Sequence, residues 1–532
     1  MKNPADPVIL KMSEGELEGF SFTTKNGTKT QVFLGVPFAH ANRFEKPKAY
    51  PRWTGIRQAK DFPLGCVPVN ANYGSQVSED CLYLNIIRPE KQSRGKGYPV
   101  LVFIHGGGFV GGDASKYGFK SFAEHFVSHG ILVISVQYRI GFLGFLSTGD
   151  KILPGNLGLW DLAFAIRLIK EQVQSFGGNP DEITLFGHSA GSAAVHALSI
   201  SPVTQGLFKR AIQSSASLFS EWAFNKQVVQ NSFALIEALG CDRKMSSEEI
   251  LEKLSAKTIT EMSDAALKVA KSLKPTLREF MFNPRFDGEF FPEPIDELTK
   301  KAPKLPVLFG LTEIEWANIV NLPQGDFNTI GLTSEARSDF SSEQFTNYIN
   351  KIVLENSKEP EIEKLKDALV DFFVTGNAQK NLRNVVDLVS DLMFVLPVIQ
   401  QILLRNQVEQ KSYLFYEKHV HEQYGIVPGA PHSNELLYLF DNERGSFDFN
   451  EKDRQFQSHL CQGFVNFVKS GKPSSDGKEW SDTGNGTRHV VLNPSPVVEP
   501  EFEEKRMKFW LEKLPSMVER ETLKKTRLPF LQ

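Results

Sequence analysis

The stretch LFGHSAGSAAV, residues 185–195, decides how the chain is read. A short apolar run enters Gly187–His188–Ser189–Ala190–Gly191, and small residues follow. A G-x-S-x-G pentapeptide arises by chance in roughly one chain in six of this length, since Gly and Ser each make up about 7% of average sequence. It therefore carries weight only through its surroundings. ITLF (183–186) has strand character, and AGSAAVHAL (190–198) reads as a small-residue helix. A strand that turns sharply into a helix places a serine hydroxyl at the tip, provided the flanking residues are small enough for the two backbones to approach. Ser189 is then a candidate nucleophile, with the N–H of Ala190 aimed at the reacting centre.

Outward from Ser189, apolar runs alternate with helical patterns. PVLVFIH (99–105), ILVISVQ (131–137), ITLF and KRAIQSS (209–215) lack polar alternation, which suits strands covered on both faces in a mostly parallel sheet. LGLWDLAFAIRLIKEQVQSF (157–176) repeats apolar residues at helical spacing and stops at Gly177–Gly178. PVLFGL (306–311) and SYLFYE (412–417) extend the strand pattern, and FQSHLCQGFVNFVKSG (456–471) is a further helix with a glycine stop. The stretch 225–275 is charged and helical and reads as an insertion. No repeat or low-complexity linker interrupts the alternation, so the expectation is one α/β domain over residues 1–532.

A serine hydroxyl needs a base and an acid that orients the base. Five histidines lie beyond residue 315: His419, His421, His432, His459 and His489. His432 alone sits in a Gly/Pro-rich loop, VPGAPHSNELLYLF (427–440), after a strand and before an apolar helix. A loop at the carboxyl end of a strand is where such a base belongs. For the acid, Glu315 follows PVLFGL by a short turn, with Glu313 nearby. HGGGF (105–109) follows the strand VLVFI, and consecutive glycines let backbone N–H groups converge on a developing oxyanion.

Composition narrows the partners. The chain is 41% hydrophobic and 23% charged, with 42 phenylalanines that suit a large core or an apolar pocket. A net charge of −3 leaves no basic footprint for nucleic acid and no polybasic membrane patch. The most apolar long stretch, VVDLVSDLMFVLPVIQQILL (385–404), contains Asp387, Asp391 and Pro397, so a buried or cleft-lining helix is expected rather than a membrane span. The same alternatives, core or pocket wall, hold for LREFMFNPRF (277–286). Four cysteines are too few for a disulfide-built scaffold, and MKNPADPVILKMSEGE lacks the apolar core of a secretory signal. A cytoplasmic location is the expectation.

With these residues in place the chain resembles the type-B carboxylesterases, a family that includes cholinesterases, bile-salt lipases and juvenile hormone esterases. FGGNPDEITLFGHSAG (176–191) fits the family's serine signature, and EDCLYLNI (79–86) fits its second signature around a cysteine. FLGVPFA (33–39), YRIGFLGFL (138–146), GNLGLWD (155–161), DG-x-F-x-P (287–292) and PHSNELLYLF (431–440) carry the resemblance over roughly residues 8–515. It implies an α/β-hydrolase fold: a large, mostly parallel sheet flanked by helices, with helical insertions forming an active-site gorge. It implies a serine ester hydrolase with Ser189 as nucleophile, Glu315 as acid and His432 as base, and with Gly107, Gly108 and Ala190 as oxyanion donors. Neither cofactor nor metal is implied, and the partner is a small carboxylic ester or lipid ester. A lipase, a hormone-type esterase or a non-catalytic adhesion protein are the alternatives within the family. The resemblance also implies buried ion pairs of Arg43 with Glu79 or Asp80 and of Arg139 with Asp161, a supporting serine at Ser215, and a Cys66–Cys81 bridge that a reducing compartment would leave as dithiol.

The departures bear on substrate. The family's cholinesterases carry a glutamate before the nucleophile, where this chain has His188. They also supply a tryptophan for the substrate's ammonium from the loop that here reads CVPVNANYGSQVSEDC, in which Tyr73 is the only aromatic. Both differences argue against acetylcholine. Trp316 stands where glycine usually follows the acid, and Cys241 lacks its usual partner, that position being Lys253. Asn26 and Asn485 begin sequons, a weak sign of glycosylation.

Overall fold

The computed structural model of the chain describes residues 7–70, 76–272, 281–322, 330–355, 360–422, 426–440 and 448–519. Tyr73 and residues 277–280 of the Phe-rich stretch lie outside the described residues.

The central sheet is built from β1 (Val8–Lys11), β2 (Glu16–Thr23), β3 (Lys29–Pro37), β4 (Tyr83–Pro89), β5 (Tyr98–Ile104), β6 (Leu132–Val136), β7 (Gly178–His188), β8 (Arg210–Ser214), β9 (Val307–Thr312), β10 (Ser412–Glu417), β11 (His489–Leu492) and β12 (Val497–Glu499). Their spatial order is β1-β2-β3-β4-β6-β5-β7-β8-β9-β10-β11-β12, with Ile56–Gln58 paired onto β2. From β6 to β11 every neighbouring pair is parallel. Antiparallel pairs extend the sheet at both ends.

Unbroken apolar runs form this centre because both faces are covered. Along β5, Val100, Val102 and Ile104 join one core cluster while Leu101 and Phe103 join the other. That is the two-residue alternation of a strand with no wet face. The first face receives α1 (Leu157–Gln172), α2 (Ala190–Ile200) and the long helix α3 (Ala378–Gln407). The second receives Phe456, Leu460, Phe464, Phe467 and Val468 of α5 (Glu451–Ser470), which ends at Gly471 in a left-handed conformation, φ 76°. The short helix α4 (Asn434–Leu439) precedes it.

The apolar stretch 385–404 lies within α3, mostly buried against the first face, as expected of a core helix. Asp391–Val395 form a π-type turn within it. Asp391 is buried there between the indole N–H of Trp510, 2.9 Å away, and Arg506. The charged insertion resolves into three helices, Gln227–Ala238, Ser247–Ser255 and Ile259–Ser272. In the Phe-rich stretch, Phe282 is core and Phe286 is 47% exposed.

Two ion pairs were expected to be buried, and one is. Asp161 is fully buried and takes three N–H groups of Arg139: the backbone N–H at 3.1 Å, Nε at 2.8 Å and Nη2 at 2.7 Å. Arg43 pairs with Glu79 rather than Asp80, which accepts instead from the Tyr83 hydroxyl at 3.0 Å. The Glu79 side chain is 39% exposed, so this pair is a rim feature, because it sits on a surface loop before β4. Cys66 and Cys81 are disulfide-bonded, and Cys241 is a free, buried thiol.

Candidate active site

The turn at Ser189 follows from close backbone approach. An added Cβ at Gly187 would lie 2.0 Å from the Gly191 carbonyl oxygen, and one at Gly191 would lie 2.1 Å from the Ile104 carbonyl oxygen. Only glycine allows β7, α2 and β5 to meet there. Ser189 itself has φ 56° and ψ −125°, a conformation that costs a non-glycine residue about 1–3 kcal/mol. It is held by its N–H donating to the Ser214 carbonyl at 2.8 Å and by its own carbonyl accepting the Ala193 N–H at 3.1 Å. The side chain stands at the end of the strand with the residue 8% exposed.

The loop after β10 brings His432 to that hydroxyl. Its Nε2 lies 2.9 Å from Ser189 Oγ, and its Nδ1 lies 2.7 Å from Glu315 Oε2. A neutral ring protonated on Nδ1 donates to Glu315 and accepts from Ser189. Glu315 is fully buried, whereas the His432 side chain is 14% exposed, so the ring separates a dry acid from an accessible hydroxyl. The second Glu315 oxygen accepts from Ser215 Oγ and from the Thr312 backbone N–H, both at 2.8 Å. A pairing of Ile314 with Pro431 ties the acid's loop to the histidine's loop. Glu313 points elsewhere, pairing with Arg383 at 3.2 Å, which separates the two candidate acids.

The other four histidines are engaged away from Ser189. His419 and His421 both reach the buried Asp453 at 2.8 Å, His459 approaches Asp476, and His489 approaches Glu499. The glycine run after β5 does arrive. A Cβ on Gly106 would come 2.9 Å from Ser189 Cβ, and Gly107 and Gly108 follow with φ 120° and 62°. Ala190 begins α2, where the first N–H groups of a helix lack intrahelical acceptors.

Sequence reasoning missed what lies behind His432. Its ring centroid is 4.9 Å from that of Phe394, in the π-type turn of α3, and 4.9 Å from that of His188. Phe394 also stacks on Trp316 at 5.5 Å, so the residue in the usual glycine position packs an aromatic wall. Two further carboxyls, Glu417 at the end of β10 and Glu435 in α4, are fully buried. Glu435 lies three residues after His432 within PHSNELLYLF, and its position inside that motif was the available signal.

Comparison with known proteins gives the family. The carboxylesterase family model matches residues 6–510. Gut esterase 1 of Caenorhabditis briggsae is 34% identical over 502 residues, covering 90% of this chain and 86% of that protein. Bile salt-activated lipase of Rattus norvegicus is 30% identical over 524 residues, covering 92% and 83%. Cocaine esterase of Homo sapiens is 30% identical over 520 residues, covering 92% and 88%. A parallel sheet that ends in a glycine-flanked serine, and a family match over nearly the whole chain, lead to one conclusion: this chain belongs to the carboxylesterase family and is a serine-type carboxylic ester hydrolase of the α/β-hydrolase fold.

Proposed function

We propose that the chain hydrolyses small carboxylic esters through an acyl-enzyme on Ser189. The observation that carries this is the unbroken hydrogen-bonded line from Ser189 Oγ through His432 to Glu315. His432 Nε2 takes the hydroxyl proton as Ser189 Oγ attacks the ester carbonyl carbon. The carbonyl electrons move to oxygen, and the N–H groups of Gly107, Gly108 and Ala190 receive that oxyanion. Glu315 holds the ring in its tautomer and stabilises the imidazolium. His432 then gives its proton to the leaving alcohol. Water repeats the sequence on the acyl-enzyme and releases the acid.

Ser215 keeps Glu315 aimed in this scheme. Ser215→Ala leaves Glu315 Oε1 one donor, the Thr312 N–H, beside the His432 bond to Oε2, and a hydrogen bond to a charged group contributes about 1.5–3 kcal/mol. Steady-state kinetics of Ser215→Ala on p-nitrophenyl butyrate should show kcat lowered about tenfold with KM little changed. An unchanged kcat would mean that the Thr312 N–H alone orients the acid.

Substrate class rests on His188 and on the absence of tryptophan between Cys66 and Cys81. A panel of p-nitrophenyl esters of increasing acyl length, with acetylthiocholine beside them, tests the reading. Neutral esters should be turned over and acetylthiocholine should be poor by about thirtyfold or more, since a desolvated cation–π contact contributes about 2 kcal/mol or more. Fast acetylthiocholine turnover would contradict it. A maximum at long acyl chains would favour the lipase reading, which the similarity to bile salt-activated lipase supports.

A further inference from the structure

The acid and the base reach Ser189 on two separate loops, so the reaction depends on how those loops are held together. Glu315 follows β9, and His432 follows β10. At one edge the loops meet through backbone: the Ile314 N–H donates to the Ala430 carbonyl at 2.9 Å, and Ile314 pairs with Pro431. Upstream of that edge a side chain from neither loop ties them. Arg383, near the start of α3, donates Nη1 to the Pro428 carbonyl at 3.1 Å and Nη2 to Glu313 Oε1 at 3.2 Å. Pro428 lies four residues before His432, and Glu313 lies two before Glu315. The Arg383 Nε donates to Asp387 Oδ1 at 2.9 Å, one helical turn on, and Arg506 reaches the same oxygen at 3.0 Å. The guanidinium is therefore seated on the helix before its other nitrogens reach the loops. A planar fork of N–H donors holds several acceptors in fixed directions, which an ammonium group does not. Glu313 closes the contact from the other side. A Cβ on Gly429, where φ is 137°, would lie 3.2 Å from the Glu313 carboxyl. The Arg383 and Glu313 side chains are 33% and 22% exposed, and an ion pair that wet adds little to stability. What it supplies is geometry.

We propose that Arg383 is a positioning residue for the reaction: it clamps the loop of the base to the loop of the acid and so keeps His432 in line between Glu315 and Ser189. The proposal rests on the reading of His432 as the base. The ring's two bonds, 2.7 Å to Glu315 and 2.9 Å to Ser189, leave from opposite nitrogens. A base loop that pivots on the backbone contact at residues 430–431 therefore misaligns both bonds together. Hydrogen bonds weaken steeply with misalignment, and an error of about 1 Å far from the chemistry costs up to about a hundredfold in rate. Arg383 acts through the two loops, and Glu313 is its anchor on the acid's side.

The test uses the full chain with Arg383→Ala, Arg383→Lys and Glu313→Gln, and counts active sites by organophosphate titration before any rate is taken. Arg383→Ala should lower kcat per active site for p-nitrophenyl butyrate about tenfold, with KM within about twofold. It should slow organophosphate labelling of Ser189 by the same factor, because both reactions need His432 in place. Guanidinium chloride at millimolar concentration, far below what denatures, should restore part of the rate of Arg383→Ala and leave the wild type unchanged. Sodium chloride at the same ionic strength should restore nothing. Arg383→Lys should resemble Arg383→Ala, since one ammonium does not span both loops. Glu313→Gln keeps an acceptor without the charge and should lose only about twofold to threefold. An unchanged kcat and labelling rate in Arg383→Ala would overturn the proposal while hydrolysis itself persists. So would a loss confined to the number of active sites, with normal kcat per site, since that is a role in folding alone. A wild type that neither hydrolyses esters nor labels at Ser189 would instead remove the reading of His432 as the base, and the proposal with it.

Discussion

Ser189→Ala is expected to lower kcat for p-nitrophenyl acetate by about a millionfold, with the protein still folded. The hydroxyl lies 2.9 Å from His432 Nε2, within reach of a proton transfer. Without it His432, Glu315 and the glycine loop have no oxygen to activate, and only binding and oxyanion stabilisation remain. Such residual catalysis is about a thousandfold to ten-thousandfold over water. The fold should tolerate the change, since what holds the turn is backbone: the Ser189 N–H on Ser214 and the glycines on either side. Circular dichroism confirms folding and a stopped assay reads the rate. Retention of wild-type hydrolysis would place the nucleophile elsewhere. The adhesion-protein alternative makes the opposite forecast, no hydrolysis even in the wild type.

The largest effect on stability is expected from Asp161→Ala. Asp161 lies in α1, fully buried, and takes the backbone N–H, Nε and Nη2 of Arg139 from the loop after β6. Removing one partner of a buried pair leaves an uncompensated charge and costs about 3–5 kcal/mol. The Arg139 side chain is 5% exposed, so water does not replace the lost carboxylate without opening the packing around it. The urea midpoint should fall accordingly, in proportion to that loss. Glu79→Ala makes the comparison, because its pair with Arg43 is half in water and such pairs contribute about 1 kcal/mol or less. Equal losses from the two variants would contradict the difference in burial between these pairs.

Much of this was legible in the sequence where backbone sterics and burial leave few choices. Strands covered on both faces show as unbroken apolar runs, so β5 to β10 were readable. The edge strands β1 to β3 were not, because Glu16–Thr23, with its ELEGFSFT pattern, is half wet and its sign is diluted by charge. Ser189 and Glu315 could be named because each closely follows a strand end, and His432 because it sits in a Gly/Pro-rich loop between β10 and an apolar helix. The burial of Glu435 could not, because a glutamate in an apolar helix reads as exposed until the neighbouring strand end is known. The same holds for Phe394, whose place against His432 depends on the π-type turn at Asp391–Val395 that apolar spacing does not reveal. The location of Arg43's partner at the rim likewise depended on a loop path, and sequence spacing does not report solvent exposure.

The central claim is that Ser189 is the nucleophile activated by His432. Its most direct test is covalent trapping by an organophosphate, with the modified residue located by peptide mass. Attack by Ser189 Oγ forms an oxygen–phosphorus bond and expels the leaving group, while the hydroxyl proton passes to His432. The account predicts stoichiometric labelling of the peptide containing FGHSAG, parallel loss of esterase activity, and no label in Ser189→Ala. A folded protein that hydrolyses esters yet stays unlabelled at Ser189, or loses activity through a label on another residue, would contradict it.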